Sequence, residues 1–449
     1  MHKLLFDAII QLSILYKENQ LFWFNDLSGG LILERETTTS IVWKYIAIVL
    51  IAVTIALAVA MITLTNSKLK SRTVAEETTA AVSENIQESV SETVPETVPE
   101  TEAPVELSAA EMAIETGNSM LSYWTDSALA RQQIISYMAE ITDENSPNFI
   151  PADRRIAVFD FDGTLFCETD PNYFWYNLLV YRVLEDESYK GKASKFEKAT
   201  AKKIVDLNEK GKKSNNLPMD QAKSIASSFA GMTPEEFDAY VQNFKALPMP
   251  GYNGLLRGDS WYLPMLQIVD YLQANDFTVY IVSESDRFIV RSIVKNSPLN
   301  VPMRQIIGSD ESVVATGQDD EDGLEYTFTG KDKVILGGKF LRGNVNMNKT
   351  TAIIQEIGVQ PVLSFGNTMN DASMAMYTIT ENPYKSLAFM LCCDDLEREN
   401  GNTDKANAMY QNCAEYNWIP VSMKNDWTTI YGDSVTKKVG VDEALAPSA

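Results

Sequence analysis

The chain has 449 residues, a formal net charge of −23 at pH 7 and one histidine, His2. Ser-His-Asp triads, histidine-nucleophile phosphatases and histidine-rich dinuclear metal sites all need imidazole, so this composition excludes them beyond the N-terminus. The acidic balance gives no indication of nucleic acid as a partner. The chemistry left to the chain is that of carboxylates, hydroxyls, amides and lysine.

The N-terminal part of the sequence predicts a membrane anchor. After an N-terminal segment, 1–44, residues 45–64 form an uncharged, almost wholly apolar run that is long enough to span a bilayer as a transmembrane helix. A cleaved signal peptide and a buried core helix are the alternatives. Trp43 and Tyr45 stand where interfacial aromatic residues are expected, which favours the anchor.

Residues 65–107 predict a disordered acidic stalk. Between residues 73 and 106 there are nine glutamates and no lysine or arginine. This composition cannot bury a core, and its like charges favour an extended chain. Because a spacer is most useful outside a membrane, we expect the following domain to be extracytoplasmic, although the positive charges that flank the apolar run are nearly balanced.

The globular domain is predicted for residues 108–449, and a Ser-x-x-Glu capping box at Ser108 marks its start. Three short apolar runs, 156–159, 277–282 and 361–365, each end beside polar residues, and helical periodicities lie between them. Alternating strands and helices predict an α/β fold with a parallel sheet between two layers of helices. In such folds the functional site gathers beyond the carboxyl ends of the strands.

The stretch from about 170 to 255 carries no strand signal and predicts a helical insertion that covers the site. Within it, Thr233, Pro234 and Glu236 have the pattern of a helix N-terminus. From 312 to 340 the pattern changes to the short β-prone runs YTFTG and KVILGG around the acidic loop QDDEDG. We expect that loop to be a solvated hairpin turn rather than a calcium site.

The four cysteines, Cys167, Cys392, Cys393 and Cys413, show no CxxC spacing, so a zinc cluster is not expected. A bridge from Cys413 to Cys392 or Cys393 and free buried thiols both agree with the sequence.

The stretch RRIAVFDFDGTLFCETD places Asp160 and Asp162 at the end of the first predicted strand. An EF-hand is excluded, because the sixth and twelfth positions from Asp160 hold Leu165 and Pro171 instead of glycine and glutamate. A phosphoryl-transfer site fits better: the first carboxylate attacks phosphorus, and the second gives and takes the proton. Magnesium between the two would neutralise their repulsion, and Gly163 would let the chain turn away from the strand.

Three further elements complete such a site in chain order. Ser283, at the end of the second strand, can donate a hydrogen bond to a phosphoryl oxygen. Lys349, near a helix start, can offset charge on the phosphate and the nucleophile. The stretch LSFGNTMNDASM places Asn367, Asn370 and Asp371 at the end of the third strand, as metal ligands or as groups that hold the ligands. Each element alone has a commoner structural explanation, but their shared order is specific.

With these motifs the chain resembles the phosphatases of the haloacid dehalogenase superfamily, in the phosphoserine-phosphatase-like or phosphocholine-phosphatase-like branch with a helical cap. DFDGTL matches the first motif, YIVS the second, Lys349 the third and FGNTMND the fourth. The resemblance implies a Rossmann-like three-layer core, Asp160 as nucleophile and Asp162 as general acid and base. It also implies Mg²⁺ held by Asp160, the Asp162 backbone carbonyl and the fourth motif, with Asn367 and Asp371.

The fourth motif departs from the family pattern, because Asn367 replaces the usual first acid and Asp371 is the acid that remains. An amide oxygen can ligate Mg²⁺ but brings no charge, so we expect weaker metal binding.

An aromatic cluster, Tyr173, Phe174, Trp175 and Tyr176, opens the insertion. Such a cluster is more often the core of a cap helix; the alternative is a cage for a cationic group such as that of phosphocholine.

The sequence thus predicts a membrane-tethered, Mg²⁺-dependent phosphomonoester hydrolase that acts through an aspartyl-phosphate on a small phosphorylated metabolite. Two alternatives stay open: a surface-displayed binding protein with little turnover, suggested by Asn367, and a phosphotransferase with the same nucleophile. The presence of Asp160 and Asp162 together with Ser283 and Lys349 favours the enzyme.

Overall fold

The structure is a computed structural model that describes residues 107–438. The N-terminal segment, the apolar run at 45–64 and nearly all of the acidic stalk lie outside the described residues, so those predictions stay predictions. Within residues 107–438, no helix combines the length and apolar character needed to cross a bilayer.

A seven-stranded sheet forms the centre of the described part. The strands are β1 (Ile156–Phe159), β2 (Tyr252–Asn253), β3 (Thr278–Asp286), β4 (Ile306–Ala315), β5 (Val334–Arg342), β6 (Leu363–Gly366), β7 (Leu387–Cys392), β8 (Ile419–Ser422) and β9 (Thr436–Lys437). The large sheet has the order β5-β4-β3-β1-β6-β7-β8 and is parallel except between β4 and β5. Strands β2 and β9 form a separate antiparallel pair.

Eleven α-helices within residues 107–438 flank the sheet or form the cap. They are α1 (Ala109–Met120), α2 (Leu129–Thr142), α3 (Phe174–Val180), α4 (Lys195–Lys210), α5 (Leu217–Ser228), α6 (Pro234–Lys245), α7 (Leu263–Ala274), α8 (Arg287–Val294), α9 (Met347–Ala352), α10 (Ala372–Ile379) and α11 (Thr403–Tyr416). The predicted fold class, a parallel sheet between helical layers with an inserted helical cap, is confirmed.

The central strand β1 is buried on both faces, as expected of a parallel strand covered by helices. Ala157 and Phe159 belong to one core, and Val158 belongs to the other. On neighbouring strands, Phe159, Phe365 and Phe389 stack with ring centroids 4.2 and 4.8 Å apart. This packing fixes the carboxyl end of β1 in the middle of the sheet edge.

The second predicted strand is longer than its apolar run. Strand β3 continues from Val282 to Asp286, and after a bulge it pairs again with β4 between Asp286 and Ser309. In this extension Ser283, Ser285 and Asp286 are buried, and Glu284 is half-buried. Hydropathy therefore gave no sign of them.

The hairpin predicted around QDDEDG is confirmed, because β4 and β5 pair antiparallel and the acidic loop connects them. The run KVILGG overlaps β5, but YTFTG is wrong as a strand. The Asp332 carboxylate accepts hydrogen bonds from the Tyr326 hydroxyl at 2.9 Å and the Thr329 hydroxyl at 2.7 Å. In this segment, local side-chain hydrogen bonds therefore stabilise a turn in place of strand pairing.

Helices α3 to α6 form the cap, inserted between β1 and β3. The predicted helix start is confirmed: Thr233 Oγ1 accepts the N–H of Glu236 at 3.2 Å, and the Glu236 carboxylate accepts the N–H of Thr233 at 2.9 Å. At the cap base, the Asp170 carboxylate accepts the N–H of Gly251 at 2.9 Å. This bond joins the segments that lead into and out of the cap.

All four cysteines are free thiols. Cys167, Cys392 and Cys413 are buried, and Cys393 is half-buried. Of the two alternatives that the sequence left open, the structure has the free-thiol form.

Candidate active site

The carboxyl ends of β1, β3 and β6 meet at one edge of the sheet, beneath the cap. A cavity of about 120 Å³ lies there. It is lined by Asp160, Asp162, Glu168, Tyr173, Trp175, Tyr176, Pro218, Glu284, Ser285, Lys349, Asn367, Thr368, Asn370 and Asp371. A larger open groove of about 530 Å³ between α1 and α2 contains none of the motif residues. The smaller cavity is the candidate site.

Lys349 lies between two carboxylates. Its Nζ atom is 2.5 Å from Asp160 Oδ1 and 2.6 Å from Asp371 Oδ1, and the side chain is 1% exposed. Burial alone would lower the pKa of Lys349, but the two adjacent carboxylates raise it. The lysine is therefore charged at neutral pH and fixes one oxygen of Asp160.

Asp160 and Asp162 follow β1 directly but have different partners. Burial, and then the charge of Asp371, raise the pKa of Asp160, while Lys349 opposes this shift. Burial raises the pKa of Asp162 to about 6, although Ser285 Oγ donates a hydrogen bond to its Oδ2 at 2.6 Å. A carboxyl group with such a pKa can both donate and accept a proton near neutral pH.

Asp371 uses both carboxylate oxygens within the protein. Oδ1 contacts Lys349, and Oδ2 accepts the backbone N–H groups of Asn367 and Thr368, each at 3.1 Å. These bonds hold the loop after β6 against the lysine. They favour a positioning role for Asp371, and its predicted ligation of a metal stays a prediction.

Asn367 faces Glu168. Its Nδ2 donates to Glu168 Oε1 at 3.1 Å, so Oδ1 lies on the other side of the amide. Gly163 makes this approach feasible: it has φ +74°, and a Cβ there would lie 1.8 Å from Asn367 Nδ2 and 2.6 Å from Glu168 Cδ. The glycine after Asp162 is therefore required for the packing of Asn367 as well as for the turn.

The structure separates the two serines of β3. Ser283 is fully buried and does not line the cavity, and its Oγ accepts the N–H of Ser285 at 3.0 Å. Ser285 lines the cavity and contacts Asp162. The phosphate contact expected of Ser283 stays a prediction. The two-residue period of a strand, which puts residues 283 and 285 on one face, could have indicated Ser285.

Two glutamates of the cavity were missed by sequence reasoning. Burial, and then the charge of Asp162, raise the pKa of Glu168 to about 8. Burial also raises the pKa of Glu284, whose Oε2 accepts a hydrogen bond from Asn370 Nδ2 at 3.0 Å. Neither glutamate belongs to a recognisable motif, so only the fold shows that they face the site.

The aromatic cluster at the start of the cap contributes both to the hydrophobic core and to the lining of the cavity. Phe174 packs in the core, edge-on to Phe166 and Phe244 with ring centroids 6.1 and 5.1 Å away. The other three residues, Tyr173, Trp175 and Tyr176, line the cavity. Trp175 and Tyr176 are buried in the same core, so the core interpretation holds for them as well as for Phe174, and together with Tyr173 they also form an aromatic wall of the site.

Behind Glu168 lies a cluster around the fully buried carboxylate of Glu399, which we call the Glu399 cluster. This carboxylate accepts hydrogen bonds from the Tyr252 hydroxyl at 2.7 Å and the Asn400 N–H at 2.6 Å. Its remaining donors are the hydroxyls of Thr169 and Tyr431 and the thiol of Cys167. The cluster therefore joins the chain on both sides of Glu168 to the end of the cap and to the C-terminal segment.

The donors present fit a magnesium ion in their chemistry. Lys349 occupies one oxygen of Asp160, which leaves Oδ2, together with the Asp162 backbone carbonyl and Asn367 Oδ1, as hard oxygen donors. Within residues 107–438, no three acidic, cysteine or histidine side chains are gathered as a metal site. The predicted set does not need such a group, since it combines one carboxylate with a main-chain and an amide carbonyl.

Comparison with known proteins identifies the family. The family model of haloacid dehalogenase-like hydrolases matches residues 157–376. No curated protein matches the sequence.

Several solved structures are similar to this chain. A protein with unknown function from Bordetella pertussis Tohama I has 13% identity over 60% of this chain and 98% of its own, with a TM-score of 0.39. A conserved functionally unknown protein from Anaerococcus prevotii DSM 20548 has 13% identity over 67% and 94%, with a TM-score of 0.40. Cytosolic 5'-nucleotidase IIIB bound to cytidine has 10% identity over 72% and 92%, with a TM-score of 0.38.

The family match begins in β1 and ends in α10, so it spans the strand ends that carry the four motifs together with the inserted cap. Over residues 157–376, therefore, the chain has a haloacid dehalogenase-like hydrolase domain.

Proposed function

We propose that the domain is a Mg²⁺-dependent phosphomonoester hydrolase that forms an aspartyl-phosphate on Asp160. The observation that carries the proposal is the division of partners between two neighbouring carboxylates. Lys349 contacts Asp160, and Ser285 contacts Asp162. Groups with different surroundings can take different roles, here nucleophile and proton carrier.

In the first step, a carboxylate oxygen of Asp160 attacks phosphorus and the bond from phosphorus to the ester oxygen breaks. Asp162 gives its proton to the departing oxygen, which leaves as an alcohol. In the second step, Asp162 takes a proton from water, and the resulting hydroxide attacks the aspartyl-phosphate and releases inorganic phosphate. Lys349 holds Asp160 in place throughout and offsets charge on the phosphoryl oxygens.

A bound magnesium ion would supply further neutralisation of the phosphoryl charge. The residues that would hold it are Asp160, Asp162 through its backbone carbonyl, and Asn367. Asp371 supports this set by bonding to Lys349 and to the backbone N–H of Asn367.

The walls of the cavity support a substrate whose leaving group carries a positive charge. Five carboxyl groups line the cavity beside one lysine; they are Asp160, Asp162, Glu168, Glu284 and Asp371. Opposite them, the rings of Tyr173, Trp175 and Tyr176 offer faces that attract cations.

The experiment is a phosphomonoester panel with the full-length chain, with and without Mg²⁺. It should contain phosphocholine, phosphoethanolamine, phosphoserine and glycerol phosphate. We expect Mg²⁺-dependent phosphate release, fastest for the cationic esters. A folded protein that releases no phosphate from any ester would favour the binding-protein alternative, and transfer of phosphate to an added alcohol instead of water would favour the phosphotransferase.

The tether is part of the proposal. It is supported by the apolar run at 45–64 and by the acidic, lysine-free segment between 73 and 106. In this arrangement the enzyme acts on the outer side of a membrane, on substrates that reach it from outside the cytoplasm.

A further inference from the structure

The acidic side chain missing at position 367 has a counterpart in the segment after β1, Glu168. Where the resembling family has an acid, this chain has Asn367, whose Nδ2 is 3.1 Å from Glu168 Oε1. Both side chains line the same cavity. Both also lie against Gly163, in the turn after Asp162, where a Cβ would collide with them. A carboxylate therefore lies beside the predicted metal position but one side chain away from the usual place.

Glu168 is fixed from both sides. Its chain neighbours Cys167 and Thr169 both donate hydrogen bonds to the buried carboxylate of Glu399. Asn400 Nδ2 also donates to the Thr169 carbonyl at 3.0 Å. A side chain held in this way can orient another group.

We infer that Glu168 is a positioning residue of the metal site: it accepts the amide N–H of Asn367 and turns Asn367 Oδ1 towards the metal. The inference rests on the magnesium site of the proposed function. Groups that orient metal ligands in this manner commonly change metal affinity by about 10- to 100-fold when they are removed.

The test is Mg²⁺ binding, measured by calorimetry and by the rise in Tm on Mg²⁺ addition, so that no turnover is required. In Glu168→Gln we expect the Kd for Mg²⁺ to rise by about 10- to 100-fold. Asn367→Asp should place two carboxylates at hydrogen-bond distance, which lowers the Tm without metal and enlarges the rise caused by Mg²⁺. The double variant Asn367→Asp/Glu168→Gln exchanges acid and amide, so its Kd should return to within about threefold of the wild type.

Glu284→Gln is the matched control, because Glu284 is also a cavity glutamate that accepts an asparagine N–H, from Asn370 at 3.0 Å. We expect a smaller loss of Mg²⁺ affinity there than in Glu168→Gln. Equal losses would assign the effect to the general charge of the cavity and overturn the inference. Wild-type affinity in Glu168→Gln would overturn it too, as would a double variant no tighter than Glu168→Gln.

These outcomes are separate from those of the proposed function. A wild-type protein that binds Mg²⁺ but hydrolyses no ester would contradict the phosphatase and leave the role of Glu168 intact. An active phosphatase in which Glu168→Gln binds Mg²⁺ normally would do the reverse. A wild-type protein that binds no Mg²⁺ would overturn the inference together with the metal part of the function.

Discussion

At the residue scale, Asp160 and Asp162 lie two positions apart but have different surroundings. One oxygen of Asp160 is bound by a charged lysine, whereas Asp162 receives a neutral hydroxyl. A charge-assisted bond fixes a carboxylate as an anion more firmly than a bond from a hydroxyl does. This difference supports the proposed roles of nucleophile for Asp160 and proton carrier for Asp162.

We expect Asp160→Asn to abolish both turnover and the phosphoenzyme, because the amide is not a nucleophile towards phosphorus. Asp162→Asn should be nearly as inactive with alkyl esters. With p-nitrophenyl phosphate, however, it should accumulate phosphoenzyme, since a good leaving group needs little proton donation while hydrolysis still lacks its base. Acid-quenched labelling with the phosphorylated substrate measures this difference. Activity near the wild-type level in Asp160→Asn would contradict the mechanism.

Ser285 should set the pH range of the reaction. Its hydrogen bond favours the ionised form of Asp162, whose pKa is about 6. Without that bond the pKa rises further, so Ser285→Ala keeps Asp162 protonated, and able to donate, at higher pH. We therefore expect the alkaline limb of the kcat/KM profile to move to higher pH in this variant.

Ser283→Ala is the control for the strand. If Ser283 contacts phosphate as the sequence predicts, this variant raises KM and leaves the limb in place. A profile for Ser285→Ala that coincides with the wild type would show that the hydroxyl does not tune Asp162.

At the scale of the elements, strand β4 contains an unsatisfied acid. Glu311 is 6% exposed, and neither of its carboxylate oxygens has a hydrogen-bond partner in the described part of the chain. Burial, and then the charge of Asp286, raise its pKa to about 9. Between the unfolded value of about 4.3 and this value, the unfolded chain binds fewer protons than the folded one. Stability must therefore fall as the pH rises through that window.

Glu311→Gln removes this penalty. We expect the variant and the wild type to be similar in free energy of unfolding near pH 5. Above pH 5, the free energy of unfolding of the variant should exceed that of the wild type by a margin that grows by at most about 1.4 kcal/mol per pH unit up to pH 9. Urea unfolding at several pH values measures the gain. Glu325→Gln, on the exposed loop of the same hairpin, should show no such trend, and a gain for Glu311→Gln that is independent of pH would contradict the explanation.

The elements also show what the sequence could predict. Strand β1 was found residue for residue because four apolar side chains buried on both faces leave a clear hydropathy signal. The extension of β3 was missed because its residues are polar, and YTFTG was wrong because Asp332 attracts hydroxyls that a strand would leave free.

The site was predictable where its residues stand at strand ends or near a helix start, and elsewhere it was not. Asp160, Asp162 and Asn367 could be found from strand ends, and Lys349 was found from its place near a helix start. Glu168 gains its role from a contact with a residue 199 positions away, and no local pattern encodes such a contact.

At the scale of the whole molecule, we expect the catalytic domain to be on the outer face of the membrane. Protease treatment of intact cells should then release it by cleavage within the predicted stalk, since an acidic Thr- and Pro-rich composition is expected to leave the backbone accessible. A cytoplasmic marker must stay intact in the same cells. A domain that resists the protease until the membrane is broken would place it on the inner side.

The Glu399 cluster also has a consequence for the order in which the enzyme is made. Residues 157–376 contain all the motifs, yet the carboxylate that fixes Glu168 and the end of the cap is at position 399, and one of its donors is Tyr431. A nascent chain that has been synthesised only as far as the fourth motif therefore lacks the Glu399 cluster, which holds the segment around Glu168. Because synthesis proceeds from the N-terminus, we expect the cap base to lack its hydrogen bonds to Glu399 until the C-terminal segment emerges and folds back. We therefore expect the site to be complete only when Tyr431 has been synthesised and has folded back, after all of the motif residues have been made.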